Sequence, residues 1–172
     1  MRILVAGATG AIGRELLPLL GGHEVFGMTR SRPELVRELG AEPVVCDVYD
    51  RERLFEAVAA ARPEVVVSLL TDLANRDFAA NSRIRREGFP NLVDAAVAAG
   101  ARRLVVESVS FELPPDGAAA LAAMEQAALE SGLEAEILRF GVLCGPGTWH
   151  EQEDGPGQIH VREAAERVSA AL

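Results

Sequence analysis

Gly7-Ala8-Thr9-Gly10-Ala11-Ile12-Gly13 is the segment of this chain best suited to chemistry. It directly follows the apolar run Arg2–Ala6 and opens a stretch with helical spacing. A glycine at its first position permits a tight turn, and one at its fourth leaves the backbone bare for a diphosphate. One at its seventh lets helix and strand touch. The free N–H groups of a helix starting there, with their partial positive charge, complete an anion cradle. Glycines at this spacing mean little alone; the strand-turn-helix frame gives them weight. The plainer alternative is a tight turn that holds nothing.

The second strand ends in Thr29-Arg30-Ser31-Arg32, without a carboxylate. A site for NAD places an acidic side chain here, about 20 residues past the loop, against the ribose hydroxyls. Arg30, with Ser31 or Arg32, suits a 2′-phosphate instead. The pattern therefore prefers NADP(H) and leaves NAD(H) open; a solvated arginine pair is the competing reading.

The elements that must position these groups alternate. Strand patterns fall at Arg2–Ala6, 24–28, 43–46, 64–69, Arg103–Val109 and 134–139. Helical patterns start at Ala11 and cover 33–39, Arg51–Ala61, 77–99, 117–131 and 161–172. Pro18 is expected to kink or shorten the first helix, and Gly88 and Pro90 to bend the long one. Residues 141–159 read as a loop. Six strands alternating with helices predict an α/β, doubly wound parallel sheet of order 3-2-1-4-5-6, the Rossmann fold. The ligand crevice then lies where strands 1 and 4 diverge. Residues 1–172 read as a single domain.

Composition narrows the partners. A formal charge of −9 disfavours nucleic acid. No apolar run reaches the roughly 20 residues that span a bilayer, so no membrane is expected. The strand pattern beginning at Arg2 leaves no room for a leader. Cys46 and Cys144 lack paired spacing, and a reduced, cytoplasmic setting is the simplest reading. His23, His150 and His160 show no ligand spacing, so no metal is expected.

With these residues in hand, the chain resembles the short-chain dehydrogenase/reductase superfamily. It is most similar to the extended or atypical branch, the NAD-dependent epimerase/dehydratase-like and NmrA-like proteins. The landmarks are the glycine motif, Asp47, Gly88-Phe-Pro-Asn-Leu-Val-Asp-Ala-Ala96, and Glu107-Ser108. Further ones are Leu138-Arg139-Phe140-Gly141, Gly145-Pro146-Gly147 and His160-Val161. The resemblance implies that Asp47 and Val48 border an adenine, unless Asp47 is only a turn or cap residue. It puts Leu69, Leu70 and Thr71 along the ribose and pyrophosphate, and Phe140, Gly141 and Val142 near the nicotinamide. Ser108 falls near the family's catalytic Ser/Thr position, with Ser110 an alternative that contacts substrate. Relatives often pair through helices like 77–99 and 117–131, which implies a possible homodimer.

The departures are as informative. The family's Tyr-x-x-x-Lys pair would fall near Gly117 and Leu121, and neither can move a proton. The chain has one tyrosine, Tyr49, and no lysine. Glu107, Glu112 and His150 are the remaining proton-transfer candidates. Where relatives insert a substrate lobe, only a short acidic loop stands, with Trp149 and His150 as candidate substrate walls. The expected function is an NADP(H)-binding, dyad-less oxidoreductase or epimerase-like enzyme acting on a small carbonyl or hydroxyl compound. The alternative is a non-catalytic sensor or scaffold of NmrA type.

Overall fold

The computed structural model describes residues 1–73 and 76–172. Its centre is β1 (Arg2–Ala6), closed to water on both faces from Ile3 onward. Ile3 and Val5 enter one apolar layer while Leu4 and Ala6 enter the other, the period-two alternation of a strand sandwiched between helices. Beside it run β2 (Glu24–Thr29), β3 (Glu42–Val45), β4 (Val65–Ser68), β5 (Arg103–Val109) and β6 (Glu134–Phe140). All pair in parallel, in the order β3-β2-β1-β4-β5-β6. This is the predicted doubly wound sheet.

Helices cover both faces. On one, α1 (Ala11–Leu19) and α2 (Pro33–Glu38) supply Ile12, Leu16, Leu17 and Val36 to the core. On the other, α3 (Arg51–Ala61) buries Leu54 and Val58. Asp50 caps α3 by accepting from the Arg53 N–H at 3.2 Å. Pro18 sits one residue before the end of α1 and shortens it as expected.

The stretch 77–99 is three pieces: α4 (Phe78–Arg83), a π-helical turn over Ile84–Gly88, and α5 (Phe89–Ala98). The Phe89 N–H reaches back to the Ile84 carbonyl, one residue farther than in an α-helix. The bend anticipated at Gly88 and Pro90 is thus a widened turn; Pro90 follows it directly, in a helical path that runs on through Gly88 and Phe89.

Most boundaries fall within a residue or two of expectation, and two differences have a visible cause or consequence. α6 (Pro115–Glu130) starts two residues early because Pro115, with its fixed φ, occupies the first helical turn. The region predicted as loop contains β7 (Val142–Cys144) and β8 (Gln158–His160), paired in parallel as a small second sheet. Between them the Gly145 N–H donates to the His150 carbonyl at 2.7 Å, and the Thr148 hydroxyl donates to the Gly145 carbonyl at 2.8 Å. α7 (Val161–Ala170) then packs Ala164, Ala165 and Val168 into the same apolar layer as α1.

Candidate functional site

The glycine motif forms the turn from β1 into α1. Gly7 has φ +85°, and a Cβ there would collide with the Leu69 carbonyl. Gly13 lies so close beneath the turn that a Cβ would come 2.5 Å from the Gly7 and Ala8 carbonyl oxygens. Both positions must be glycine for β1, β4 and α1 to meet. Gly10 is different. It is the N-cap of α1, in extended backbone, and its own Cβ would meet only the Gly7 carbonyl oxygen at 3.2 Å. No side chain caps α1 and its first turn carries no acid, so the amides at its start are free for an anion. These observations fit a diphosphate: bare backbone, unspent donors and a partial positive charge at one point.

That cradle opens into a cavity of about 720 Å³ along the C-terminal ends of the strands, the usual ligand crevice of such sheets. Gly7, Thr9, Gly10 and Ala11 line it at the end of β1, whereas Ala8, Ile12 and Gly13 are buried behind the turn. Thr29, Arg30 and Ser31 line it beyond β2, Asp47 and Val48 beyond β3, and Leu69, Leu70 and Thr71 beyond β4. Ser108 on β5, then Phe140, Gly141 and Val142, close the other end together with Trp149 and His150. Ser110 lies outside the lining. It follows the last residue of β5, its side chain is exposed, and its N–H is spent on the Phe140 carbonyl at 2.8 Å.

At the β2 end, Arg30 is about two-thirds exposed and stands 3.9 Å from the Asp72 carboxylate. Asp47 Oδ1 accepts from the Tyr49 N–H at 2.9 Å, making Asp47 a turn residue as well as a wall. Asn91 fixes the same turn by donating to the Val48 carbonyl at 2.9 Å. Tyr49 lines the cavity here, its ring under the Arg83 guanidinium at 4.2 Å.

The β5 end carries the titratable chemistry. Ser108 is buried and donates its hydroxyl to Glu125 Oε1 at 2.5 Å. Arg139 grips the same carboxylate with two nitrogens, at 2.9 and 2.6 Å. Those bonds, Arg139 first and Ser108 after it, hold the Glu125 carboxyl below its ordinary range, so Glu125 stays ionised and keeps the serine proton. Toward the cavity Ser108 therefore offers a lone pair. No residue of α6 lines the cavity among the described residues, so Gly117 and Leu121, where the Tyr-x-x-x-Lys pair would fall, do not reach it.

Glu107 lines the cavity beside Ser108, and desolvation raises its carboxyl to about 7 against the opposing charge of Arg85. Arg85 is buried, lines the same end, and its guanidinium is itself held below its ordinary range by desolvation. Sequence reasoning missed Arg85. Glu112 is exposed and lies outside the lining. His150 stands 4.0 Å from Asp154 across an exposed turn.

The loop residues complete the mouth. Trp149 meets Phe78 edge to face at 6.1 Å, and the Arg76 guanidinium lies 4.8 Å from the Trp149 ring centre. A Cβ on Gly147 would stand 3.7 Å from Ala11 Cβ, so loop and cradle face each other.

Three comparisons with known proteins bear on this site. Residues 7–148 match a family model described as NAD(P)H-binding. A 3-diazoavenalumate denitrifying reductase from a Streptomyces species is 41% identical over 188 residues, which cover 90% of this chain and 60% of that protein. The chain thus spans less than two thirds of the length of the curated relative it matches. A putative NAD-dependent epimerase/dehydratase from Bacillus halodurans superposes with a TM-score of 0.82 at 24% identity, over 98% of this chain and 86% of that one. The UDP-glucose 4-epimerase of Thermus thermophilus, solved with NAD, gives 0.81 at 22% identity over 100% and 74%. At those identities the two structures attest the fold. No helix among the described residues is long and apolar enough to cross a membrane.

Proposed function

The chain belongs to the NAD(P)H-binding family, and from that premise we propose that it is an NADP(H)-dependent reductase whose acceptor takes a hydride without a proton from a tyrosine-lysine pair. The carrying observation is the β5 end of the cavity. Its serine proton is committed to Glu125, no α6 side chain reaches it, and Glu107, whose carboxyl is raised to about 7, stands beside the serine. A bound dinucleotide supplies a hydride; the chain supplies position, a desolvated floor and fixed charge. Arg30 and Ser31, just after β2, with no carboxylate at that end of the strand and only a long 3.9 Å approach to Asp72, support a 2′-phosphate and hence NADP(H). Asp47 and Val48 serve as the adenine wall, and Phe140, Gly141 and Val142 as the wall of the nicotinamide.

The Streptomyces relative is a denitrifying reductase of a diazo compound, and the same acceptor class suits this site. Reductive loss of dinitrogen balances as a diazonium cation plus hydride giving a C–H bond and N₂, with no proton consumed. Such a reaction has no use for the missing pair. A carbonyl acceptor would need one proton, and Glu107 is then its source.

The test is NADPH consumption, above the protein-free rate, with a carboxylated arenediazonium salt and with a panel of carbonyl compounds. Turnover with the diazonium at a rate unaffected by Glu107→Gln is the expected result. Tight NADP(H) binding with no consumption for either class would overturn the reductase and leave the sensor. Equal affinity for NADP(H) and NAD(H), or no selective loss of NADP(H) in Arg30→Ala, would overturn the cofactor choice.

A further inference from the structure

Among the charged residues of the cavity lining, Arg85 is the buried one, and neither the dinucleotide nor the fold accounts for it. Arg85 is 6% exposed and makes no side-chain hydrogen bond or ion pair within 4.0 Å among the described residues. No buried side-chain nitrogen among the described residues is sealed off without a partner, so the unbonded N–H groups of Arg85 open onto the cavity it lines and are available to an anion that arrives from outside. Its neighbours narrow the choice. Glu107 is the one carboxylate whose charge it feels, and desolvation raises that group to about 7, so it is only partly ionised at neutral pH. No ion pair within 4.0 Å joins the two among the described residues, so the guanidinium is open to other oxygens.

The dinucleotide's charges already have their places. The diphosphate goes to the start of α1, and a 2′-phosphate to Arg30, beyond β2. Glu107, whose charge Arg85 feels, is on β5, two strand spacings from β1, roughly 10 Å away. Around that end the lining turns aromatic. Trp149 and Phe111 are both about 40% exposed yet face the cavity. Trp149 is held in place from outside by Phe78 and Arg76. Flat apolar walls and a guanidinium fork lining one cavity fit a planar molecule ending in a carboxylate, which Arg can grip with two nitrogens.

We propose that Arg85 anchors the carboxylate of a flat, conjugated or aromatic acid, whose ring lies against Trp149 and Phe111 at the β5 end of the cavity. This rests on the reductase reading for its relevance to turnover, but not for its binding test. Arg85 is a positioning residue in it, holding the acid by one end so that the other faces the nicotinamide wall.

Trp149 is the only tryptophan of the chain, so its fluorescence reports this end of the cavity directly. The experiment titrates cinnamate and, separately, cinnamamide into the protein saturated with NADP⁺. It is repeated on Arg85→Gln and Arg85→Lys, with NADP⁺ affinity and circular dichroism measured on each. Cinnamate should quench Trp149 and bind about ten- to a hundredfold tighter than the amide, the range of a charge-assisted pair. Arg85→Gln should erase that preference while leaving NADP⁺ affinity within about twofold, and Arg85→Lys should restore part of it. Equal binding of acid and amide, or no quenching by either, would overturn the proposal. So would a loss of NADP⁺ affinity in Arg85→Gln that matches the loss for cinnamate, since Arg85 would then hold the cofactor. Acid selectivity without any NADPH consumption sinks the reductase reading and leaves the anchor standing. Consumption with no acid selectivity does the reverse.

Discussion

At the scale of single residues, the three glycines of the cradle separate folding from binding. A methyl at Gly13 would stand 2.5 Å from two carbonyl oxygens. Gly13→Ala is therefore expected to destabilise the protein by about 1–3 kcal/mol, as overpacking does. Gly10 faces the cavity, and its Cβ would be tight against only one atom, at 3.2 Å. Gly10→Val should leave the unfolding midpoint of the ligand-free protein close to that of the parent, while its methyls fill the diphosphate space. Calorimetric titration should then show NADP(H) and NAD(H) both weakened by at least about a hundredfold, the equivalent of one or two charge-assisted bonds. A Gly10→Val protein that binds normally would remove the cradle. Arg30 tests a finer point. It is largely exposed, and its contact with Asp72 is long, so its removal costs the fold little; a selective loss of NADP(H) of about 10- to 100-fold is expected in Arg30→Ala.

At the scale of elements, the π turn over Ile84–Gly88 does the most to shape the site. It inserts one extra residue into the helical path, so residues before and after it point in directions that a uniform helix would not give. Arg85 sits within it and is buried; on a regular helix in a polar stretch such as Arg83-Ile-Arg-Arg-Glu87 it reads as solvent-facing. That is why the alternation of strands and helices and the cradle were legible, being local and periodic, while Arg85 was not. The β7–β8 pair escaped for another reason. Its three-residue strands are separated by a long irregular stretch and are joined by backbone bonds that leave no periodic trace. The commitment of Ser108 to Glu125, 17 residues on, is likewise a product of packing between β5 and α6. Gly88 measures how tightly the π turn is held. A Cβ there would come 2.7 Å from Val48 Cγ2 and 3.0 Å from Ile84 Cγ1. Gly88→Ala should cost about 1–3 kcal/mol in urea denaturation. Because Val48 lines the cavity, it should also weaken dinucleotide binding, which a mere loss of helix stability would not do at saturating native population.

At the scale of the whole molecule, the burial of Glu107 ties stability to pH. The native protein keeps the Glu107 proton up to about pH 7, whereas the unfolded chain releases it near the ordinary 4.5. Between those values the native state holds more protons than the unfolded one, so the free energy of unfolding must fall as pH rises. The stabilisation is fully present below 4.5 and gone above 7, to a total of up to about 3 kcal/mol. Glu125 acts in the opposite sense but in another window. Its carboxyl is held low by Arg139 and then Ser108, so its contribution is present above the ordinary carboxylate range and lost only as pH falls below it. Urea midpoints measured between about pH 4.5 and 8 should therefore decline through neutrality in the parent protein and flatten in Glu107→Gln. A decline of the same size in the variant would place the titrating group elsewhere. The same proton governs the neighbouring charge. Once ionised, Glu107 competes for Arg85 and repels an incoming carboxylate, so cinnamate affinity should drop above about pH 7 in the parent and stay level in Glu107→Gln. Fold stability and acid binding would then lose strength over one and the same titration, because one desolvated carboxyl in the cavity lining carries both effects.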